Sequence, residues 1–361
     1  INIESLELAL LLLQLLLLKR GRDIMPEFRL ESRTRDGKWL ADLPFRDLQA
    51  EFFYNKPNTL RATLSTTALN QLTKEFIEPA RTEVQLWRNN VCIFTGPLWD
   101  LFISSGEGTA KLVCESIESY FSKRYVKSAA NRTGTYGNIM WSFVVDTQAQ
   151  QFGNLFVTRG STTGPGAPSG GLQPSIGTYL DEVFDDLSDG ARGFDWYISP
   201  TRVLHQFYPR INSRANVRLD YPGTILKYSV GIQGKSIAND VRCIGKDALL
   251  GSPVVDTNSM TTYGRMEHVE SESGTDNARL LKDKAEEYVN RRFKPVQVPQ
   301  LVLNSATVNP LDGDMSYGQI VRVAINDGYV QYDDDMRCTG FQLTVGKHFE
   351  ELFNLYLNTI N

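Results

Sequence analysis

The stretch from Arg81 to Trp99, RTEVQLWRNNVCIFTGPLW, narrows the choice of fold more than any other part of this chain. Val84, Leu86 and Arg88 fall on one face of an extended segment, and Glu83, Gln85 and Trp87 on the other, the period of two that a half-buried strand requires. Asn89-Asn90 follows. Asparagine tolerates positive φ, so two in succession suit a tight hairpin turn. The return arm, Val91 to Thr95, is rich in strand formers and stops at Gly96-Pro97. A two-stranded ribbon is marginal by itself in water, so this hairpin must pair with further strands.

The chain is long enough to give it partners. At 361 residues, and with roughly 150 residues per domain as a guide, two or three domains are expected. A composition 41% hydrophobic and 22% charged is that of a globular protein with a real core, and 38 basic against 42 acidic side chains give a formal net charge of −4. A dedicated nucleic-acid binder normally shows an excess of basic groups, so this balance argues mildly against one. Cys92, Cys114, Cys243 and Cys338 are widely spaced with no C-x-x-C pair, which disfavours a zinc or redox site. Buried thiols are the simplest reading, and a Cys92–Cys114 disulfide is the alternative.

The first segment is unlike the rest. Leu6 to Leu18, LELALLLLQLLLL, is apolar apart from Glu7 and Gln14. As a helix it would be about 20 Å long, short of the roughly 30 Å core of a bilayer. Glu4 and Glu7 precede it while Lys19, Arg20 and Arg22 follow, the reverse of a signal peptide. A helix apolar on nearly every side must be buried. Packing against another subunit or partner, contact with a membrane, and a purely internal helix all stay open.

From Phe28 to Leu64 the pattern is strand-like. Asp36-Gly37 is a hairpin turn signal beside the alternating Phe28, Leu30 and Ser32, and Leu60, Ala62 and Leu64 alternate again. With the Arg81–Thr95 hairpin and a strand at Ala110 to Cys114, this makes about six closely spaced strands, the signature of an antiparallel barrel or sandwich. One helix is expected at Thr67 to Ile77, with Leu69, Leu72 and Phe76 on a face and Pro79 ending it.

Helical patterns then take over. Glu115 to Val126 places Ile117, Phe121 and Tyr125 on one face, and Gly137 to Phe152 places Trp141, Val144, Gln148 and Phe152 on another. Arg159 to Pro174 is rich in Gly, Ser, Thr and Pro and reads as a flexible loop; it lacks the Gly-Lys-Ser/Thr of a phosphate loop. Thr178 to Leu187 is a helix with Leu180, Val183, Phe184 and Leu187 inward, and Phe194 to Tyr208 is a pair of strands turning at Ser199-Pro200. Strands resume at Ile225 to Gly231 and Asp240 to Gly245, followed by a loop at Leu249 to Met260. The longest helix comes next, capped by Thr275 or Asp276, with Ala278, Leu281, Ala285, Tyr288 and Val289 inward and Pro295 ending it. Val296 to Thr307, Gly318 to Ile325, Tyr329 to Asp333 and Met336 to Val345 complete a second β-rich unit, with Asn326-Asp327-Gly328 as its hairpin turn.

Little in the sequence carries chemistry. His205, His268 and His348 are far apart, and no zinc-protease, nucleophile-elbow or dinucleotide fingerprint occurs. His205 reads as a satisfied core histidine. Asp181, Glu182, Asp185, Asp186 and Asp189 read as the solvated face of their helix rather than a metal site. Asp312-Gly-Asp314-Met-Ser316 opens like a calcium loop but has Tyr317 where glycine is required and Val323 where glutamate is required. Asp333-Asp334-Asp335 reads as a charged turn. No catalytic, cofactor-binding or metal-ligating residue is assigned, and no enzyme is expected. Carboxylates distant in sequence could converge as a hydrolase pair.

The order of elements is more informative than any one residue. Strand, turn, strand and glycine from Val84 to Gly96 precede a helical insert and the strand Phe194-x-Trp196-x-Ile198. Tyr263-Gly264-Arg265-x-Glu267, a helix, the Leu311-Asp-Gly-Asp314 turn and a terminal β-unit follow. Over roughly Phe28 to Leu357 this order resembles the hub or minor tail proteins of long-tailed, siphovirus-type bacteriophages. The Leu-rich start has no counterpart in that pattern, and no appended lytic domain is expected before Asn361.

The resemblance implies a β-rich α+β protein with two tail-tube-like antiparallel barrel or sandwich domains and a helical or mixed insert. The expected division is a Leu-rich segment 1–25, a first β-domain 26–114, an insert 115–224 and a second β-domain 225–361 with one long helix. It further implies a homotrimeric tail-tip hub without cofactors. That hub would join the tail tube or distal tail protein to the tape measure and tip or fibre proteins, and DNA would meet it only in passing through the lumen at ejection. The expected location is the virion tail tip, after assembly in the host cytoplasm. Two other classes stay in view: a cell-wall hydrolase using carboxylates of the insert, and a binding module tethered to a membrane by Leu6 to Leu18.

Overall fold

The computed structural model describes residues 26–128, 131–163, 169–189, 193–272, 277–347 and 350–359. The Leu6–Leu18 segment, His348 and the expected caps Thr275 and Asp276 lie outside these residues. The first seven strands among the described residues are β1 (Phe28–Arg33), β2 (Trp39–Asp42), β3 (Phe45–Phe53), β4 (Thr59–Ser65), β5 (Glu83–Arg88), β6 (Val91–Ser104) and β7 (Thr109–Glu115). The hairpin expected at Arg81 to Thr95 is β5–β6, with Val84 opposite Gly96 and Leu86 opposite Phe94. Asn89 and Asn90 turn it at φ 48° and 63°. Val84, Leu86 and Arg88 are buried, as their alternation requires.

Strand β6 spans 14 residues and serves two partners. Val91 to Pro97 pair with β5, and Leu98 to Ser104 with β7. The change follows Gly96-Pro97, and at Gly96 an added Cβ would stand 1.8 Å from the Glu115 carbonyl oxygen, so only glycine lets the strands cross this closely. The C-terminal half repeats the device. Strands β19 (Ile320–Asp327), β20 (Val330–Val345) and β21 (Glu351–Thr359) follow one another, and β20 pairs with β19 up to Arg337 and with β3 from Gly340 to Val345. A Cβ at Gly340 would lie 2.4 Å from the Phe52 carbonyl oxygen. Each half of the chain thus has a hairpin whose long second strand changes partner close to a glycine.

The β20–β3 pairing joins the halves. Thirteen strands form one sheet in the order β14-β18-β21-β20-β3-β4-β7-β6-β5-β1-β2, with β13 (Arg214–Tyr221) and β19 branching beside β20; β14 is Ile225–Gln233 and β18 is Val296–Leu303. The chain is therefore β-rich α+β, as expected, and its large sheet is open, with no closed barrel among the described strands. The helix expected at Thr67 to Ile77 divides into α1 (Thr66–Leu69), capped by Ser65, and a 3-10 turn at Lys74–Ile77. Only Ile77 of this stretch is buried, so its apolar spacing has no core to hold a longer helix.

The middle of the chain builds a separate core. Ile117–Lys123 is a 3-10 helix, shorter than the expected Glu115–Val126 helix; Ile117 and Phe121 are buried, while Tyr125 is exposed in an extended segment bridging Tyr179. Helix α2 (Tyr136–Gln148) buries Ile139, Met140, Phe143, Val144 and Thr147. Of the face expected there, Val144 alone is buried. The reason lies at the helix end, where the Gln148 side chain accepts from Val157 N at 2.7 Å and donates to its carbonyl at 3.0 Å, turning the chain away and leaving Phe152 86% exposed. Helix α3 (Leu180–Asp189) buries the expected Leu180, Val183, Phe184 and Leu187 against the same core.

The expected Arg159–Pro174 loop contains two strands, β9 (Thr158–Thr163) and β10 (Ser169–Leu172), each held by main-chain pairing to a neighbour. β9 runs parallel to β12 (Val203–Phe207), whose other neighbour is β11 (Asp195–Ile198), and β10 runs antiparallel to β8 (Arg132–Thr135).

Among the described residues, one compact unit comprises the chain up to Lys227 and again from Leu301 to Tyr356; the second comprises Tyr228 to Gln300 and the residues from Leu357. In the second unit β15 (Asp240–Ile244) lies between β16 (Val254–Val255) and β17 (Glu267–Ser271). Leu281, Ala285 and Val289 of α5 (Ala278–Arg292) pack on Val241 and Cys243. Asn277 caps α5, its side chain accepting from Arg279 N. The expected Leu249–Met260 loop instead contains β16 and the start of α4 (Thr257–Tyr263), because the Asp256 carboxylate caps a helix there by accepting from Ser259 N at 2.8 Å.

Candidate assembly interface

Strands β3, β4, β7 and β20 are apolar on one side and polar on the other. Leu48, Ala50, Phe52, Leu60, Ala62 and Leu343 are buried on the inner face. The outer face is hydrogen-bonded to itself. The Glu51 carboxylate accepts from the Tyr356 hydroxyl at 2.8 Å, the Gln342 amide at 2.9 Å and the Thr59 hydroxyl at 3.0 Å. Burial works against its charge, yet these three donors and the Arg61 charge hold Glu51 below the usual carboxylate range. Asn354 donates to Gln342 at 2.9 Å, Phe53 stacks on Tyr356, and the Lys56 ammonium sits 3.6 Å from the Phe53 ring centroid. Such a face is hydrophilic, and its Glu51 charge is already engaged.

Three buried ionic knots tie distant segments of this unit. Arg88 donates to Glu351 and to Asp312, the latter at 2.7 Å, and Asn309 donates to the same Glu351 at 2.9 Å. Arg202 pairs with Glu83, which also accepts from the Tyr120 hydroxyl at 3.2 Å; burial outweighs the Arg202 charge and raises the Glu83 carboxyl above its ordinary range. Asp195 accepts from Arg337 at 2.6 Å and from Ile211 N at 2.8 Å. Of these carboxylates, motif reading singled out only Asp312, and for a different role. A signal existed for Arg88 alone, since it shares a face with Val84 and Leu86.

A fourth buried carboxyl has no cation. Glu118 accepts from Ile198 N at 2.6 Å through Oε1, while Oε2 has no hydrogen-bond partner. Burial raises its pKa, so the fold favours the neutral acid.

The residues that motif reading singled out do not form a site together. His205 stacks on Tyr197 with 4.9 Å between ring centroids, and burial lowers its pKa. His268, in the second unit, stacks on Tyr288 at 4.5 Å and hydrogen-bonds Glu270. Asp312 pairs with Arg88, and Asp314 accepts from Asn309 N at 2.9 Å, so this pseudo-calcium turn is a structural cap. Asp333, Asp334 and Asp335 lie in strand β20 and not in a turn; Asp333 pairs with Arg322, and Asp335 with Arg322 and Arg214. Cross-strand cations compensate the carboxylates there. Cys92, Cys114, Cys243 and Cys338 are all free. Among the described residues no three of His, Cys, Asp and Glu are grouped to hold a metal ion, and no helix is long and apolar enough to cross a membrane.

The strand order and the two long partner-changing strands can be compared with solved proteins. A prophage MuSo2 43 kDa tail protein from Shewanella oneidensis superposes with a TM-score of 0.69 over 92% of this chain and 98% of that one, at 12% identity. The chain has the fold of phage tail proteins. The same tail-protein fold recurs in a tail protein from Neisseria meningitidis, with a TM-score of 0.64, 12% identity and coverage of 91% and 96%. It recurs again in the prophage tail protein gp18 from Listeria monocytogenes, at 0.58, 11%, 92% and 94%. No protein-family model matches the sequence, and no curated protein matches it. At such identities the likeness is one of fold.

Proposed function

We propose that this chain is a non-enzymatic structural component of a bacteriophage tail, acting as a homotrimeric hub near the tail tip. The observation that carries the reading is the repeated hairpin with a partner-changing strand in each half, β5–β6 and β19–β20, in a fold shared over more than nine-tenths of three tail proteins. Two like halves per chain would give a ring of three chains six comparable positions, a geometry able to meet a sixfold tube on one side and a threefold tip on the other. In this reading segments 26–114 and 225–361 carry the tube-like modules and 115–224 the insert. Its partners are the tail tube or distal tail protein, the tape measure protein and tip or fibre proteins.

The outer face around Glu51, Gln342 and Tyr356 suits the wall of an ejection channel. Its carboxylate is satisfied internally, and a wall without a strong basic excess would not hold passing phosphates. The protein would be assembled in the host cytoplasm and reside in the virion tail. Mass photometry at micromolar concentration, with negative-stain imaging, tests the reading. A trimeric ring with a central opening is expected, and a stable monomer under these conditions overturns it.

A further inference from the structure

We propose that the acidic hairpin β19–β20 of one copy docks on the Arg29–Trp87–Arg33 face of β1 and β5 of a second copy. This rests on the oligomeric reading above and names the surfaces through which the copies meet.

The two hairpins that the halves share differ at their tips. The β5–β6 tip is tied back, with Asn89 N donating to the Glu27 carbonyl at 2.9 Å and Glu27 N donating to Asn89 Oδ1 at 3.0 Å. The β19–β20 tip carries Tyr329, 93% exposed. Its turn is preformed, since Gln331 donates to Asn326 Oδ1 at 2.7 Å and to the Gly328 carbonyl at 3.2 Å. From Ile325 to Asp335 it has four carboxylates, Asp327, Asp333, Asp334 and Asp335, and no cation. Arg322 and Arg214, at its base, engage Asp333 and Asp335. A rigid arm ending in an exposed tyrosine loses little conformational entropy on binding.

The complementary surface lies on the same chain. Arg29 and Arg33 stand over the Trp87 ring, 5.3 and 5.9 Å from its centroid, and both clasp the buried Glu31 carboxylate at 2.7 Å. Beside them Trp39 is 50% exposed and the Arg29 side chain 46% exposed. From Arg29 to Trp39 there are four cations, Arg29, Arg33, Arg35 and Lys38, against the carboxylates Glu31 and Asp36. Arginine and tryptophan are the residues on which interface energy concentrates. An acidic arm with an aromatic tip and a basic, tryptophan-bearing face are different patches, so their contact is head-to-tail. Repeated head-to-tail contacts that close give a cyclic ring.

The full-length protein tests this through its own assembly. Tyr329→Ser and Asp334→Lys, both at exposed positions, should each weaken assembly at least tenfold by sedimentation velocity, with thermal unfolding of the protomer unchanged; Arg29→Asp should weaken assembly as much and also lower the protomer's unfolding temperature, because it removes a partner of the buried Glu31. Asp334→Arg combined with Arg29→Asp should restore most of the loss. With p-benzoylphenylalanine at position 329 in a mixture of isotope-labelled and unlabelled chains, the cross-link should join different copies and map between Arg29 and Trp39. Wild-type assembly by all three variants, or a cross-link mapping elsewhere, overturns the docking proposal and leaves the trimeric reading standing. A monomeric wild type overturns both.

Discussion

Glu118 is the side chain whose chemistry is most at odds with its surroundings. Its carboxyl is buried with one oxygen unpartnered, and its pKa is raised above the ordinary 4.5. A carboxyl raised on folding contributes stability that is fully present below the unfolded pKa and is lost as pH rises through the folded value. Glu118→Gln keeps an acceptor for Ile198 N–H and cannot ionise. Relative to the parent it should gain stability on the order of 1–3 kcal/mol at pH 8 and little at pH 4, measured by urea unfolding at both. Equal differences at the two pH values would refute the assignment. Arg88→Met removes the cation that serves Glu351 and Asp312 and should cost about 3–5 kcal/mol, because it strands a buried carboxylate. At this scale the sequence was legible only where alternation exposes a contradiction, as when Arg88 falls in line with Val84 and Leu86. Glu118 sits in a stretch whose period suggested an ordinary helix, and its burial depends on β11, some eighty residues later in the chain.

The elements were readable wherever their cause is local. The β5–β6 hairpin follows from alternation and from two asparagines able to hold positive φ, and α3 follows from its apolar stripe. Replacing Asn89-Asn90 by Val-Val forces two β-branched residues into that region, at about 1–3 kcal/mol each, and should lower the unfolding midpoint markedly. Features set by neighbours were not readable. β9 and β10 are extended because β12 and β8 accept their main chains, and Asp333 to Asp335 are extended because Arg322 and Arg214 stand opposite. The two glycines close to which the long strands change partner belong to this class. Gly96→Ala and Gly340→Ala place a Cβ 1.8 and 2.4 Å from a carbonyl oxygen. Each should prevent soluble expression or lower the melting temperature by 10 °C or more, roughly 3–5 kcal/mol for a domain this size. An alanine at Gly106, which meets nothing within 4 Å, is the control and should behave as wild type.

For the whole molecule, the β-rich α+β class and the tail-protein fold were visible in the order of elements, whereas the union of both halves in one sheet was not. That union depends on β20 meeting β3, a pairing no local pattern encodes. It places the slowest-exchanging amides in β3, β4, β7 and the second half of β20, which have partners on both sides. Hydrogen exchange by mass spectrometry should show those segments protected longest, with β17, an edge strand of the second unit, exchanging earlier. Similar protection in both places would mean that the central sheet is not the stable heart of the fold.

The β20–β3 pairing also imposes a schedule. Leu48 pairs with Val345, so one edge of β3 stays without its strand until Val345 has left the ribosome. At roughly 5–20 residues per second that wait lasts tens of seconds. Throughout it, the first half offers a nine-residue strand edge to any nascent chain nearby. A polysome making several copies at once holds many such edges within reach of each other. Shortfalls in yield should therefore track crowding of ribosomes on the message, and slower initiation should raise the soluble fraction more than cooling after synthesis does.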